Sequence, residues 1–138
     1  MNDTVTANKI IGTVLTDSYY KNDIAVFIFE DCNIQNKKNE YLIKVYCHFR
    51  ITDLKARKLV VGIMAYAGLH NDLTDVYDSN QVNDYLKTLA KSKITVADYF
   101  ITDYDDLCLT FSNNHRLEVF SATLGGIKTW DIEERSIG

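Results

Sequence analysis

The sequence predicts an α+β domain: a strongly twisted, mostly antiparallel sheet or half-barrel of about seven to eight strands around one main helix. Three observations predict it. Short apolar or alternating segments recur along most of the 138 residues, which is the pattern of strands. Only one stretch, about residues 80–92, keeps helical spacing over several turns. The chain also has no proline, so its turns fall to Asn, Asp and Gly, which tolerate left-handed backbone angles.

Taken in order, residues 1–8 are polar and expected to fray. Residues 10–15, Ile-Ile-Gly-Thr-Val-Leu, read as a first short strand. Residues 24–29 are apolar on both faces and belong in the middle of a sheet. A polar turn follows at 32–40. From 41 to 51 the alternation is clear: Tyr41, Ile43, Val45, Cys47, Phe49 and Ile51 face one way. Leu42, Lys44, Tyr46, His48 and Arg50 face the other, as a strand requires. A basic turn at 52–58 leads to an apolar strand at 59–66, and then to an acidic loop at 68–80.

The helix comes next. Val82, Tyr85, Leu86, Leu89 and Ala90 fall at i, i+3, i+4, i+7 and i+8, one helical face. Asp78, Ser79 or Asn80 can cap its start. Lys87, Lys91 and Lys93 complement the dipole at its end.

The last third reads as strands at 94–101, 107–111, 116–120 and 129–132, with Trp130, the only tryptophan, anchoring the final one in the core. Parity decides the turn near Asn113. A three-residue loop, Ser112 to Asn114, sets Leu109 opposite Leu117 and Leu107 opposite Val119, with Asn114 in a left-handed bulge position. Residues 14–29 and 96–111 also have equal lengths and a shared strand–turn–strand pattern. Ala25, Phe27 and Phe29 then align with Leu107, Leu109 and Phe111, through either a true repeat or ordinary β alternation.

The length suits one domain, residues 1–138. No run of 18 apolar residues is present, so no membrane span is expected. The opening Met-Asn-Asp-Thr lacks the basic and apolar regions of a signal peptide. Three cysteines, Cys32, Cys47 and Cys108, are odd in number and far apart, which suits reduced thiols and a cytoplasmic location. A net charge of −4 disfavours nucleic acid, whose phosphates need a basic face.

Chemistry-bearing motifs are scarce. His48, His70, His115 and the cysteines share none of the tight spacings of zinc sites, so no metal is expected. No nucleophile elbow appears, and Gly125-Gly126 opens no helix that could cradle phosphate. His115, in a hairpin turn, is expected to face solvent. The expectation is no enzyme, no catalytic residue and no cofactor.

Two acidic clusters remain. Asp72, Asp75, Asp78 and Asp84 surround the helix start, and Asp98, Asp103, Asp105 and Asp106 crowd a later turn. They serve either turn formation and solubility or the docking of a basic partner. Nine tyrosines suit strands and interfaces alike. The expected partner-binding residues are Asp72, Asp75, Tyr77 and Asp78 first, with Tyr19 and Tyr20 second. An alternative ligand pocket is Lys44, Tyr46, His48 and Arg50 along one strand face, suited to a signalling nucleotide. A homodimer is compatible with either.

One resemblance adds to this. Asp106-Leu107-Cys108-Leu109-Thr110-Phe111-Ser112-Asn113, then Leu117-Glu118-Val119-Phe120, then Trp130, resembles the ending of a group of small bacterial proteins. The middle is similar too: Leu42 to Ile51, ending in aromatic-Arg-Ile, followed by Val60-Val61-Gly62. The resemblance spans about residues 42–132, with motifs that are largely structural. The chain departs from it at Asn114, where glycine is usual, before Trp130, where an acidic residue is usual, and near Ala65 and Tyr66, where an Asp is usual. Members of that group are regarded as immunity proteins of polymorphic toxin systems. The resemblance thus implies a protein that binds a cognate toxin and blocks it sterically. It supplies no catalytic residue.

Overall fold

The computed structural model describes residues 7–31, 39–46, 48–63, 79–121 and 129–136. Among them are nine strands: β1 Val14–Lys21, β2 Ile24–Glu30, β3 Asn39–Val45, β4 Phe49–Asp53, β5 Lys58–Ile63, β6 Val96–Ile101, β7 Leu107–Phe111, β8 His115–Val119 and β9 Trp130–Ser136. Burial alternates most plainly along β7, where Leu107, Leu109 and Phe111 are buried. The helix is α1, Ser79–Lys91, within a residue of its expected bounds at each end.

The fold is α+β, as expected, but its strands make two sheets. The first has the order β1-β2-β3-β9 and the second β5-β4-β8-β7-β6. All pairings are antiparallel, and among the described residues neither sheet closes into a barrel.

The two sheets repeat one plan. β1-β2-β3 is a meander, and so is β6-β7-β8. The strand after each meander crosses to the other sheet: β4 pairs with β8, and β9 pairs with β3. The registers correspond pair by pair. Leu15 faces Phe29 just before a bulge, and Val96 faces Phe111 just before another. Val45 faces Trp130 and Ile43 faces Ile132, while Val119 faces Phe49 and Leu117 faces Ile51. Even the joins correspond: the Leu15 amide donates to Ile94 O at 2.9 Å, and the Val96 amide donates to Thr13 O at 3.0 Å. The two hairpins thus hold equivalent positions with Phe29 matching Phe111, but Leu15, not Val14, matches Val96, and the loop of the second hairpin is one residue longer.

One core draws on both sheets and the helix. Phe27 meets Phe49 edge-on and Phe29 stacks on Phe111, so aromatic contacts cross between the sheets. From α1, Val82, Leu86, Leu89 and Ala90 are buried, each large side chain contributing about 1.5–3 kcal/mol. The helix also covers the edge strand β1. Asn83 Oδ1 accepts the Tyr20 amide at 2.8 Å, and the buried Ser18 hydroxyl donates to Leu86 O. Ser18 is small enough for that approach, which shields an edge that would otherwise present unpaired backbone.

Three expectations are corrected. The first strand starts at Val14, not residue 10. The Thr13 amide and hydroxyl both donate to Ile10 O, and Gly12 has a φ of 86°, so residues 10–13 turn. Ala7, expected to be frayed, is buried. The stretch 41–51 is two strands in two sheets: the Tyr46 amide donates to Thr129 O and the Phe120 amide to His48 O. The turn reasoning holds, with Leu109 opposite Leu117, Leu107 opposite Val119 and Asn114 at φ 68°.

Candidate functional site

β6 ends its sheet, and its outward face is unusual. Phe100 is 62% exposed and Ile11, beside it, 44%. Together with Asp98, Asp103 and Asp105 they line a groove of about 680 Å³. Among the described residues no basic side chain lines it. Aromatic surface ringed by carboxylates favours a partner that is both apolar and basic.

The following turn is firmly built. The Thr102 amide donates to Asp106 O and the Asp105 amide to Thr102 O. Thr102 Oγ1 accepts the Asp106 amide at 3.0 Å, and Asp106 Oδ1 accepts the Ser121 amide at 2.7 Å. Trp130, buried as expected, donates from Nε1 to Asp105 O at 2.6 Å. Asp105 takes a φ of 64°. The result is a fixed turn presenting Asp103 and Tyr104, the latter 73% exposed. A rigid presentation lowers the ordering cost of binding.

A second groove, of about 360 Å³, lies along β1 and is lined by Asp17, Tyr19, Tyr20, Lys21, Asn83 and Lys87. Here stand two expected partner-binding residues. Tyr19 carries Lys87 over its ring at 5.4 Å. Tyr20 packs on Phe49, and burial raises its hydroxyl pKa, with Asp23 adding to the shift. Tyr20 thus belongs partly to the core. Asp72, Asp75, Tyr77 and Asp78 lie outside the described residues.

The four residues of the alternative pocket do not share one strand. Lys44 and Tyr46 go with the first sheet, where Tyr46 Oη donates to Asp131 Oδ2 at 2.8 Å. Arg50 lies on β4 in the second sheet. Its guanidinium forms a two-pronged pair with Glu118 at 3.1 and 3.2 Å and stacks over Phe120 at 5.2 Å. His48 lies between them, in the crossing from one sheet to the other.

One constellation was hidden from the sequence. His115 is not solvent-facing: only 20% of its side chain is exposed, with Nε2 3.6 Å from Asp53 Oδ2. Its Nδ1 lies 3.3 Å from Tyr85 Oη. Carboxylate, imidazole and hydroxyl thus follow in the order of a nucleophilic relay. The hydroxyl is poorly suited to that role, since burial, and then the Asp53 charge, push the Tyr85 pKa up to about 12. Sequence offers no signal for this trio, because its members come from β4, α1 and β8. What it does is join the helix to the second sheet.

Among the described residues no group of three His, Cys, Asp or Glu side chains could hold a metal ion, and no helix is long and apolar enough to cross a membrane. Cys108 is a free, half-buried thiol whose pKa is raised by burial and then by Glu118. No family model, curated protein or solved structure matches the chain.

Proposed function

We propose that this protein is a cytoplasmic binding protein of the immunity type, which neutralises a cognate basic toxin by covering its active site. The observation that carries this reading is the groove on β6, where exposed Phe100 and Ile11 sit among Asp98, Asp103 and Asp105 and no Lys or Arg is among the described residues that line it. The net charge of −4 adds long-range attraction for such a partner. The sequence resemblance to immunity proteins points the same way.

Steric neutralisation demands only a firm surface, which the hydrogen-bonded turn at 102–106 provides. Charge would hasten encounter, and the aromatic rings would slow release. The test is co-expression with a candidate toxin from the same host. Growth should be restored by the wild-type chain, and a stoichiometric complex should be isolated. Cells that die in the presence of a well-folded, abundant chain would reject the reading.

A further inference from the structure

The grooves on β1 and β6 present register-equivalent residues and differ in one component. On β1, Asp17 and Tyr19 are two positions apart and share a face. Between them they hold Lys87 of α1: its Nζ is 3.4 Å from Asp17 Oδ1 and 5.4 Å from the Tyr19 ring centroid. On β6, Asp98 takes the register position of Asp17, and Phe100 takes that of Tyr19. Both carboxylates directly follow the bulge of their strand. Yet no Lys or Arg among the described residues lines the β6 groove, which is also the larger of the two.

Resting on the docking role above, we propose that Asp98 and Phe100 form a receptor for one lysine or arginine side chain presented by the partner protein. The carboxylate supplies the counter-charge, and the ring face attracts a cation through its quadrupole. The chain already makes this arrangement once, with Lys87. Asp98 Oδ1 accepts the Tyr99 amide at 2.8 Å, which steadies the carboxylate and covers one edge amide. Asp103 and Asp105, on the same groove, deepen the negative potential.

The manner of entry also follows. Beside β1 the small Ser18 lets α1 pack closely. Its register counterpart on β6 is Tyr99, whose ring packs against the core. At β6 a bulky ring thus stands at the position where Ser18 leaves room for α1 at β1. The receptor accepts a side chain reaching in from outside, not a helix lodged beneath the strand.

The test uses the full-length chain labelled with 15N and two small probes, N-acetyl-lysine methylamide and its norleucine counterpart, which lacks only the ammonium group. The lysine probe should shift the amides of residues 98–101 in a saturable way, and the norleucine probe should bind at least about threefold more weakly. D98N and F100A, both at exposed positions, should each weaken the lysine probe by a similar factor while leaving the rest of the spectrum in place. Equal shifts from both probes, or wild-type binding by D98N and F100A, would overturn the receptor. Since no toxin enters this assay, failed growth protection alongside a lysine-dependent shift counts against the toxin reading alone.

Discussion

Phe29 and Phe111, which hold the same register position in the two sheets, stack on each other with ring centroids 6.3 Å apart. Both are almost wholly buried, and each closes the first bulged pair of its hairpin. They join the two halves of the fold. Replacing either by alanine should cost about 3–5 kcal/mol. Because they share one contact, the double variant should lose clearly less than the sum of the two single losses. Urea unfolding of the three variants measures this, and strict additivity would show that the contact does not couple the sheets.

Gly62 has a steric reason to be glycine. It faces Arg50 across the β4–β5 pair, and a Cβ there would lie 2.6 Å from Phe49 O and 2.9 Å from Arg50 Cα. The obstacle is backbone, which yields less readily than a side chain. Gly62→Ala should therefore destabilise the chain by about 1–3 kcal/mol. Thermal unfolding would read this as a lower Tm, and an unchanged Tm would contradict the close approach.

Two groups give the stability a pH signature. The Asp53 pKa is lowered chiefly by the Ala56 amide, against a smaller opposing effect of desolvation, with Lys55, His115 and Lys58 helping. A depressed folded value means that its stabilisation is present above the ordinary carboxylate range and is lost as pH falls below about 4. Asp53→Asn should flatten the acid limb of the stability curve. Tyr85 acts at the other extreme. Its pKa is raised to about 12, so its contribution is complete below the ordinary tyrosine value and lost as pH rises from about 10 upward. Tyr85→Phe should remove that alkaline loss, as followed by unfolding at stepped pH.

Much of the fold was legible because strands declare themselves by alternation and turns by parity. The loop at Ser112–Asn114 followed from which side chains must share a face. The division of 41–51 did not. Tyr41, Ile43 and Val45 face the core from one sheet, while Phe49 and Ile51 face the same core from the other. Alternation continues through the crossing and cannot reveal it. β1 was displaced for a related reason: its second half is polar because α1 and Lys87 cover it, so the apolar residues just before it looked more like a strand. At the candidate site, the charges of Asp98, Asp103 and Asp105 were visible in the sequence. The exposure of Phe100 was not, since an aromatic residue in a strand is ordinarily core. The trio of Asp53, Tyr85 and His115 needed three elements brought together and left no local trace.

The most direct test of the proposed docking face is the Kd of the complex with the proposed toxin partner at low and high salt. The wild-type chain would be compared with the triple variant Asp98→Asn, Asp103→Asn and Asp105→Asn. The β6 groove predicts binding weakened by at least about tenfold at low salt, and a shallower dependence on salt in the variant. Equal affinities and equal salt dependence in the two proteins would show that the β6 groove is not the docking face.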